Sequence, residues 1–123
     1  MNELSVDVGE IRPGTWSLAL KGSLDASNVE GFTLAAADML ARGARYVILD
    51  LRDAQYVASS GFGAFLKLVD ETAERQGKVV FTAVPPSIKS IFKLLGLERT
   101  LTYAGDREAA LGAIGSGGEA SGA

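Results

Sequence analysis

The stretch YVILDLRDAQYVASSGFGAFLKL, residues 46–68, contains both kinds of secondary structure that this chain uses. Its first six residues, 46–51, are apolar almost throughout, which is typical of a strand covered on both faces. After the segment ASSG, residues 58–61, apolar residues recur at helical spacing, and Gly77 is a candidate helix stop. The predicted inward-facing side chains of this helix are Phe62, Phe65, Leu66, Val69 and Ala73.

The N-terminal part of the chain predicts two antiparallel strands. Apolar and small or polar residues alternate over residues 4–9 and again over residues 16–21, which is the period of a half-buried strand. The intervening RPG, residues 12–14, is typical of a turn. A short connection of this kind joins neighbouring antiparallel strands.

The remaining elements alternate between helix and strand. A helix is predicted after a capping box at Ser27 and Glu30, and a strand over residues 78–84. A third helix begins near Pro86 and ends at Gly96. Its single apolar face is predicted to hold Ile88, Ile91, Phe92 and Leu95. A short strand over residues 99–103 and a last helix capped by Asp106 complete the order.

This order predicts one α/β domain over residues 3–114. Alternating strands and helices form right-handed crossovers, so the sheet should be mixed but mostly parallel, with an N-terminal antiparallel pair and about four helices packed on it. The Gly/Ser/Ala-rich segment 115–123 has little to bury and is predicted to be a disordered tail.

Composition excludes several classes of function. With 12 basic and 15 acidic residues the net charge is -3, which argues against nucleic acid as a partner. No apolar run approaches the roughly 20 residues needed to span a membrane, and there is no secretory signal. The chain has no histidine and no cysteine, so Ser-His-Asp and thiol catalysis are impossible. We therefore expect a cytoplasmic binding protein with no catalytic residues, metal or cofactor.

The two serines in ASSG allow two interpretations. A serine at the start of a helix usually has the structural task of accepting a hydrogen bond from a first-turn N–H group. One such residue is enough for a cap, and the sequence has two, Ser59 and Ser60. A helix N-terminus also favours a phosphate, so a phosphoserine there would change the surface without unfolding the helix.

Three aspartates follow or end the predicted strands: Asp25, Asp50 and Asp53. The carboxyl ends of parallel strands meet at one edge of a sheet, where sites usually form. Asp25 is expected near Ser59, whereas a solvated turn aspartate is the favoured interpretation of Asp53. Lys89 and Lys93 are interpreted as a solvated helix face.

Three segments carry a family resemblance: GSLDASN at 22–28, DLRDAQYVASSGFGAFLKL at 50–68 and VPPSIKSIFKLLGLERTL at 84–101. In these segments, and in its order of elements, the chain resembles the STAS family, specifically the bacterial anti-sigma-factor antagonists. The family pattern is approximately an acidic residue followed by Ser-Ser/Thr-Gly-Leu-Gly at the start of the second helix. Here it reads ASSGFG.

The resemblance implies a switch protein rather than an enzyme. In that family the first serine of the pair, here Ser59, is phosphorylated by an anti-sigma factor that is itself a GHKL-type serine kinase. The unphosphorylated antagonist binds this kinase, the phosphorylated form releases it, and a serine phosphatase resets the protein. The partner-binding residues expected here are Asp25, Ser27, Asp53, Ser59, Ser60, Gly61 and Phe62.

Ala58 departs from the family pattern, which usually has aspartate at this position. A missing carboxylate alters the charge beside Ser59 and leaves open whether Ser59 is phosphorylated efficiently. The alternative is therefore a constitutive STAS subunit of a lipid-transport or signalling assembly, with no switching. A small nucleotide hydrolase is disfavoured because no phosphate-binding loop is present.

Overall fold

The computed structural model describes the backbone of residues 3–120 and the side chains of residues 3–115. One five-stranded sheet has the strand order β1-β2-β3-β4-β5. β1 and β2 are antiparallel, and β2 to β5 are parallel to one another. The elements are β1 (Leu4–Arg12), β2 (Thr15–Leu24), α1 (Val29–Ala41), β3 (Tyr46–Val57), α2 (Ser59–Glu74), β4 (Lys78–Thr82), α3 (Pro86–Leu94), β5 (Thr102–Ala104) and α4 (Arg107–Ala120). The predicted fold class is confirmed.

The two faces of the sheet carry cores of different size. The larger core contains the apolar side chains of α1, α2 and α3, including Phe32, Phe65 and Phe92. The smaller core, on the opposite face, contains four buried residues: Ile48, Val80, Ala110 and Ile114. Because α4 covers only this second cluster, the site-bearing helices and α4 lie on opposite sides of the sheet.

β3 is twice as long as predicted because it contains irregularities that a simple alternation does not show. Its pairing with β2 shifts register twice, after Asp50 and after Ala54. An extra residue in one strand changes which side chains face the core. Leu51, Ala54 and Val57 are consequently all buried, at intervals of three residues. Strand pairing thus continues to the residue before Ala58.

Two predicted helix details are wrong. α1 begins at Val29 with Asn28 at its N-cap position and no side-chain cap hydrogen bond, so Ser27 does not form the predicted capping box. In α2 the buried side chains include Leu68 and Thr72, whereas Ala73 is exposed. Packing against both α1 and the sheet therefore rotates the buried face of α2 away from the predicted stripe.

The C-terminal elements agree in kind with the prediction. The Asp106 carboxylate accepts a hydrogen bond from the Ala109 N–H at 2.8 Å, which confirms it as the cap of α4. α4 continues to Ala120, beyond residue 114 where the domain was predicted to end. The rest of the predicted tail, residues 121–123, lies outside the described residues, and the domain limits remain a prediction.

Gly77 is required by a close approach between two segments. A Cβ atom at this position would lie 1.7 Å from the carbonyl oxygen of Arg45. The preceding residue, Gln76, has a positive φ of 62° and completes the turn from α2 into β4. Gly77, the predicted helix stop, is therefore required because a side chain would not fit beside Arg45. The left-handed conformation is adopted by Gln76, which is not a glycine.

Candidate functional site

The candidate site lies where β2 and β3 end side by side. Leu24 and Val57, the last residues of these strands, are paired in the sheet. The backbone N–H of Ala58 then donates to the carbonyl oxygen of Leu24 at 2.8 Å. This bond fixes the start of α2 against the end of β2, so Asp25 and Ser59 follow two adjacent points of the sheet. The predicted proximity of the two segments is confirmed.

Ser59 is the first residue of α2, and it is exposed. The N-cap position is occupied by Ala58, with φ −80° and ψ 171°, and no side chain forms a cap hydrogen bond. The structural interpretation of the serines as helix caps is therefore wrong. The Ser59 hydroxyl is presented at the end of the helix without a capping role.

Ser60 differs sharply from its neighbour. Its hydroxyl oxygen is buried and has no hydrogen-bond partner, although part of the residue is accessible. A phosphoryl donor approaching from solvent cannot reach this oxygen without a local rearrangement. Of the two adjacent hydroxyl groups, the one on Ser59 is the accessible one.

Gly61 and Phe62 lie beneath the surface. A Cβ atom on Gly61 would come within 2.8 Å of side-chain atoms of Leu24 and Val57, so this glycine lets α2 approach the strand ends closely. Phe62 is 5% exposed. Both residues hold the first turn of α2 in position. Their direct contact with a partner, which the family resemblance implies, stays a prediction.

Asp25 organises the turn between β2 and α1. Its carboxylate accepts hydrogen bonds from the backbone N–H and the hydroxyl of Ser27, at 2.9 and 2.5 Å. Its carbonyl oxygen accepts from the N–H groups of Asn28 and Val29, and the Asn28 side chain accepts from the Asp25 N–H. Asp25 and Ser27 are thus held in one rigid turn beside the start of α2.

Asp50 and Asp53 do not join this group. Both lie inside β3, because the strand continues to Val57. Asp53 is exposed and lies opposite Lys21 of β2 in the sheet register, four residues before the end of β3. At about 3.3 Å per residue this places it roughly 13 Å along the strand from Val57. The predicted position at the strand end is wrong for both residues, since β3 continues to pair with β2 as far as Val57.

An aromatic cluster connects α2 to α3. The rings of Phe62 and Phe92 are 5.2 Å apart between centroids, and Phe92 also contacts Phe81 and Tyr103. The Tyr103 hydroxyl donates to the carbonyl oxygen of Leu97 at 2.9 Å. Burial, and secondly the negative charge of Glu98, raise the pKa of Tyr103 above its ordinary value near 10. This cluster anchors α3 beside the first turns of α2.

The prediction that α3 buries all of its apolar residues is wrong. Ile91 and Leu95 were predicted to face inward with Ile88 and Phe92, yet they are 36% and 53% exposed. Leu94 is 85% exposed. Only the apolar pattern itself was available as a signal, and it does not distinguish a buried side chain from an exposed one.

Neither a metal site nor a membrane span is found in the part of the chain that the structure describes. Among the side chains of residues 3–115 no cluster of three or more carboxylates could hold a metal ion. No helix in this range is long and apolar enough to cross a membrane.

The model of the STAS domain family matches residues 9–110, which is most of the chain. This chain is a STAS domain. The match includes the antiparallel pair from Gly9 onward, the parallel strands and the first three helices, together with the ASSG segment at the start of α2.

The relatives of this STAS domain include anti-sigma factor antagonists. It is 29% identical over 95 residues to BtrV of Bordetella bronchiseptica, a protein named as an anti-sigma factor antagonist. The aligned region covers 77% of this chain and 82% of BtrV. The structure of the unphosphorylated antagonist SpoIIAA matches with a TM-score of 0.78 at 20% identity, covering 90% of this chain and 97% of SpoIIAA. The phosphorylated form of Bacillus SpoIIAA matches with a TM-score of 0.70 at 21% identity, covering 85% and 96%.

These comparisons agree with the fold and family predicted from the sequence. STAS anti-sigma factor antagonists are regulatory binding proteins rather than enzymes, which agrees with the prediction of no catalytic activity. At about 20% identity the solved structures establish the fold alone. The site residues are therefore assigned from the geometry of this chain.

Proposed function

We propose that this STAS domain is an anti-sigma factor antagonist whose binding is switched by phosphorylation of Ser59. In the unphosphorylated state it binds an anti-sigma factor that is a GHKL-type serine kinase. Phosphorylation of Ser59 by that kinase releases the complex, and a serine phosphatase restores binding. The proposed location is the cytoplasm, where sigma factors act.

The contrast between the two serines supports this proposal most directly. Ser59 is exposed and makes no cap hydrogen bond, whereas the hydroxyl oxygen of Ser60 is buried. A kinase requires an accessible oxygen that can be aligned with the γ-phosphate. This requirement favours Ser59 and disfavours Ser60 as its substitute.

The position of Ser59 also allows the fold to accept a phosphate. The first N–H groups of a helix have no partner within the helix and carry a partial positive charge. The first turn of α2 itself contains no acidic residue, and the carboxylate of Asp25 in the adjacent turn is held there by hydrogen bonds from Ser27. A phosphate carrying about −1.5 to −2 charge can therefore sit at this end of the helix without destabilising it.

The same phosphate should strongly weaken docking. A partner that covers Ser59 would have to bury the added charge without a designed counter-charge. Leaving a charge buried and unpaired costs several kcal/mol, and about 1.4 kcal/mol corresponds to a tenfold change in affinity. One modification can thus change binding by orders of magnitude while the fold stays intact.

Ala58 supports a second candidate, a constitutive STAS subunit. Ala58 occupies the N-cap position and offers no carboxylate beside the Ser59 hydroxyl. If a kinase needs that carboxylate, Ser59 would serve only for docking, for instance in a lipid-transport or signalling assembly. The two candidates differ in whether a phosphate is ever transferred to Ser59.

The deciding experiment is phosphorylation in vitro. The protein is incubated with ATP and each purified GHKL-type serine kinase encoded in its source genome, followed by intact mass measurement and peptide mapping. We expect one phosphate on Ser59, none in Ser59→Ala, and normal phosphorylation in the matched control Ser60→Ala. Phosphate on another residue would refute the site, and no phosphate with any kinase would favour the constitutive subunit.

Binding measurements complete the test. Ser59→Ala should bind the kinase that phosphorylates the wild type with unchanged affinity, whereas Ser59→Asp should bind it at least tenfold more weakly. Equal affinities of the two variants would contradict an electrostatic switch. Because Ser59 is exposed, both variants should fold, which circular dichroism checks.

A further inference from the structure

We infer that the cavity between α4 and the β1–β2 turn binds a phosphate-sized oxyanion, either inorganic phosphate or the phosphate group of a small monoester. The cavity has a volume of about 200 Å³ and lies where β2 and β3 begin, at the end of the sheet opposite Ser59. Its described lining consists of residues 12–15, Arg45, Tyr46, Ile114 and Gly115. The inference is independent of the proposed function, which concerns the other end of these strands.

The β1–β2 turn places Arg12 beside Thr15. Pro13 and Gly14 form this two-residue turn, and Gly14 takes the positive φ of 82° that it requires. Arg12 and Thr15 are directly paired across the two strands, so their side chains project from the same face of the sheet. On its other side Thr15 is paired with Tyr46, which packs against the smaller core under α4. All three side chains therefore face α4.

Two arginine side chains bring positive charge to this cavity. A Cβ atom on Gly115 would lie 3.2 Å from Nη2 of Arg12, so this guanidinium reaches the wall that α4 forms. The Arg45 guanidinium lies 5.5 Å from the centre of the Tyr46 ring. Its Nε and Nη2 donate to two backbone carbonyl oxygens in the turn after α2, each at 3.2 Å. These two bonds hold Arg45 in place and leave three of the five N–H donors of its guanidinium free.

The described part of the chain supplies donors at the cavity but no counter-charge. None of the described lining residues is acidic, and neither arginine forms an ion pair with a described carboxylate. The Thr15 side chain is 2% exposed, and its hydroxyl forms no hydrogen bond with a described residue. Buried hydroxyl groups normally have a partner. An anion in the cavity would accept from this hydroxyl and from both guanidinium groups.

The volume and the donor types select the ligand. At about 200 Å³ the cavity is smaller than the roughly 300–1,000 Å³ pockets that enclose drug-sized molecules, so it suits a group of a few heavy atoms. Guanidinium groups bind phosphate oxygens in pairs, and these charged hydrogen bonds are stronger than neutral ones. A tetrahedral oxyanion has enough acceptors for Arg12, Arg45 and Thr15 at once. When bound, it would connect α4 to the β1–β2 turn.

The test is a titration with sodium phosphate at constant ionic strength, followed by amide NMR and by thermal denaturation. We expect saturable shifts of the Thr15 and Gly115 amide signals, with a Kd of about 1 mM or tighter. At ten times the Kd, the bound ion stabilises the fold by RT ln 11, about 1.4 kcal/mol, or roughly 4 °C in Tm. A titration with glycerol 3-phosphate distinguishes the two sources. Tighter binding than that of inorganic phosphate indicates a phosphate monoester, and weaker binding indicates the free ion.

Three variants separate binding at this site from the general effect of phosphate on folded proteins. Phosphate also stabilises proteins by exclusion from their surface, and this effect is common to all variants. Arg12→Gln and Thr15→Val should each weaken binding about tenfold, since each removes a hydrogen bond to a charged group. Arg52→Gln removes the same charge from an exposed position of β3 and should bind phosphate as the wild type does.

The stability without phosphate distinguishes a lost ligand contact from a damaged fold. Thr15→Val should then be at least as stable as the wild type, because its hydroxyl has no partner to lose. Amide shifts that fail to saturate would overturn the inference. Equal increases of Tm with phosphate in the wild type and all three variants would overturn it as well, since they would show surface exclusion alone.

Discussion

Replacing Ala58 with asparagine or aspartate should stabilise the domain, because α2 begins without a side-chain cap. Ala58 has φ −80° and ψ 171°, in the extended region that N-cap residues adopt. A polar side chain can therefore be introduced without changing the backbone. Its oxygen would accept a hydrogen bond from the N–H of Ser60 or Gly61, at the second or third helical position.

The expected gain is about 1 kcal/mol in the free energy of unfolding, within a range of about 0.5–2 kcal/mol for an N-cap exchange with alanine. For a domain of this size that gain corresponds to roughly 4 °C in Tm. Aspartate adds a favourable interaction with the helix dipole, of about 0.3–1 kcal/mol. It also places a second carboxylate near Asp25, so Ala58→Asn isolates the hydrogen-bond contribution from the charges.

The assay is thermal and urea denaturation of the wild type, Ala58→Asn and Ala58→Asp. The matched control is Ala26→Asn, which adds the same amide at an exposed position in the adjacent turn. We expect the control to stay within about 0.5 kcal/mol of the wild type. An unchanged or lowered Tm in both Ala58 variants would refute the reasoning, since it would mean that α2 has no vacant cap at this residue.

Three further predictions test other parts of the structure. Gly77→Ala should lower the free energy of unfolding by at least about 2 kcal/mol, because the new Cβ would lie 1.7 Å from a backbone carbonyl oxygen. The control Gly31→Ala, in α1 with nothing within 4 Å of the new Cβ, should raise it by about 0.5–1 kcal/mol. Urea denaturation measures both variants, and equal effects would contradict the close approach at Gly77. Ser60→Ala removes a buried hydroxyl that has no partner, so Tm should stay equal or rise, and a fall of several degrees would reveal an unrecognised hydrogen bond. Burial and the charge of Glu98 raise the pKa of Tyr103 in the folded state, so its contribution to stability is complete below pH 10 and is lost as the pH rises further. Denaturation between pH 8 and 11 should show a weaker alkaline loss in Tyr103→Phe, and identical pH profiles would refute this role.

Much of the fold could be predicted from local patterns. The alternation at residues 4–9 and 16–21, and the covered strands beginning at Tyr46 and Lys78, identify four of the five strands correctly in order and type. Hydrophobic period depends on local geometry, since side chains alternate along a strand and repeat every 3.6 residues along a helix. The position of the serine pair at the start of α2 follows from the same patterns.

The structure differs from these predictions where contacts between elements, rather than the local sequence, determine the conformation. The length of β3 depends on its pairing with β2, which continues through two bulges as far as Val57 and places Asp50 and Asp53 within the strand. The rotation of α2, which buries Thr72 and exposes Ala73, depends on contacts with α1 and the sheet. No local period contains this information, because each change is a response to an element distant in the sequence.

The sequence by itself determined the order of elements, the family resemblance and the location of Ser59 at a helix start. Only the tertiary structure decided that Ser59 is accessible while the Ser60 oxygen is buried, and that Ile91, Leu94 and Leu95 remain exposed. Burial depends on which atoms from other elements fill the space around a side chain. Two adjacent serines can therefore have identical local chemistry and opposite environments.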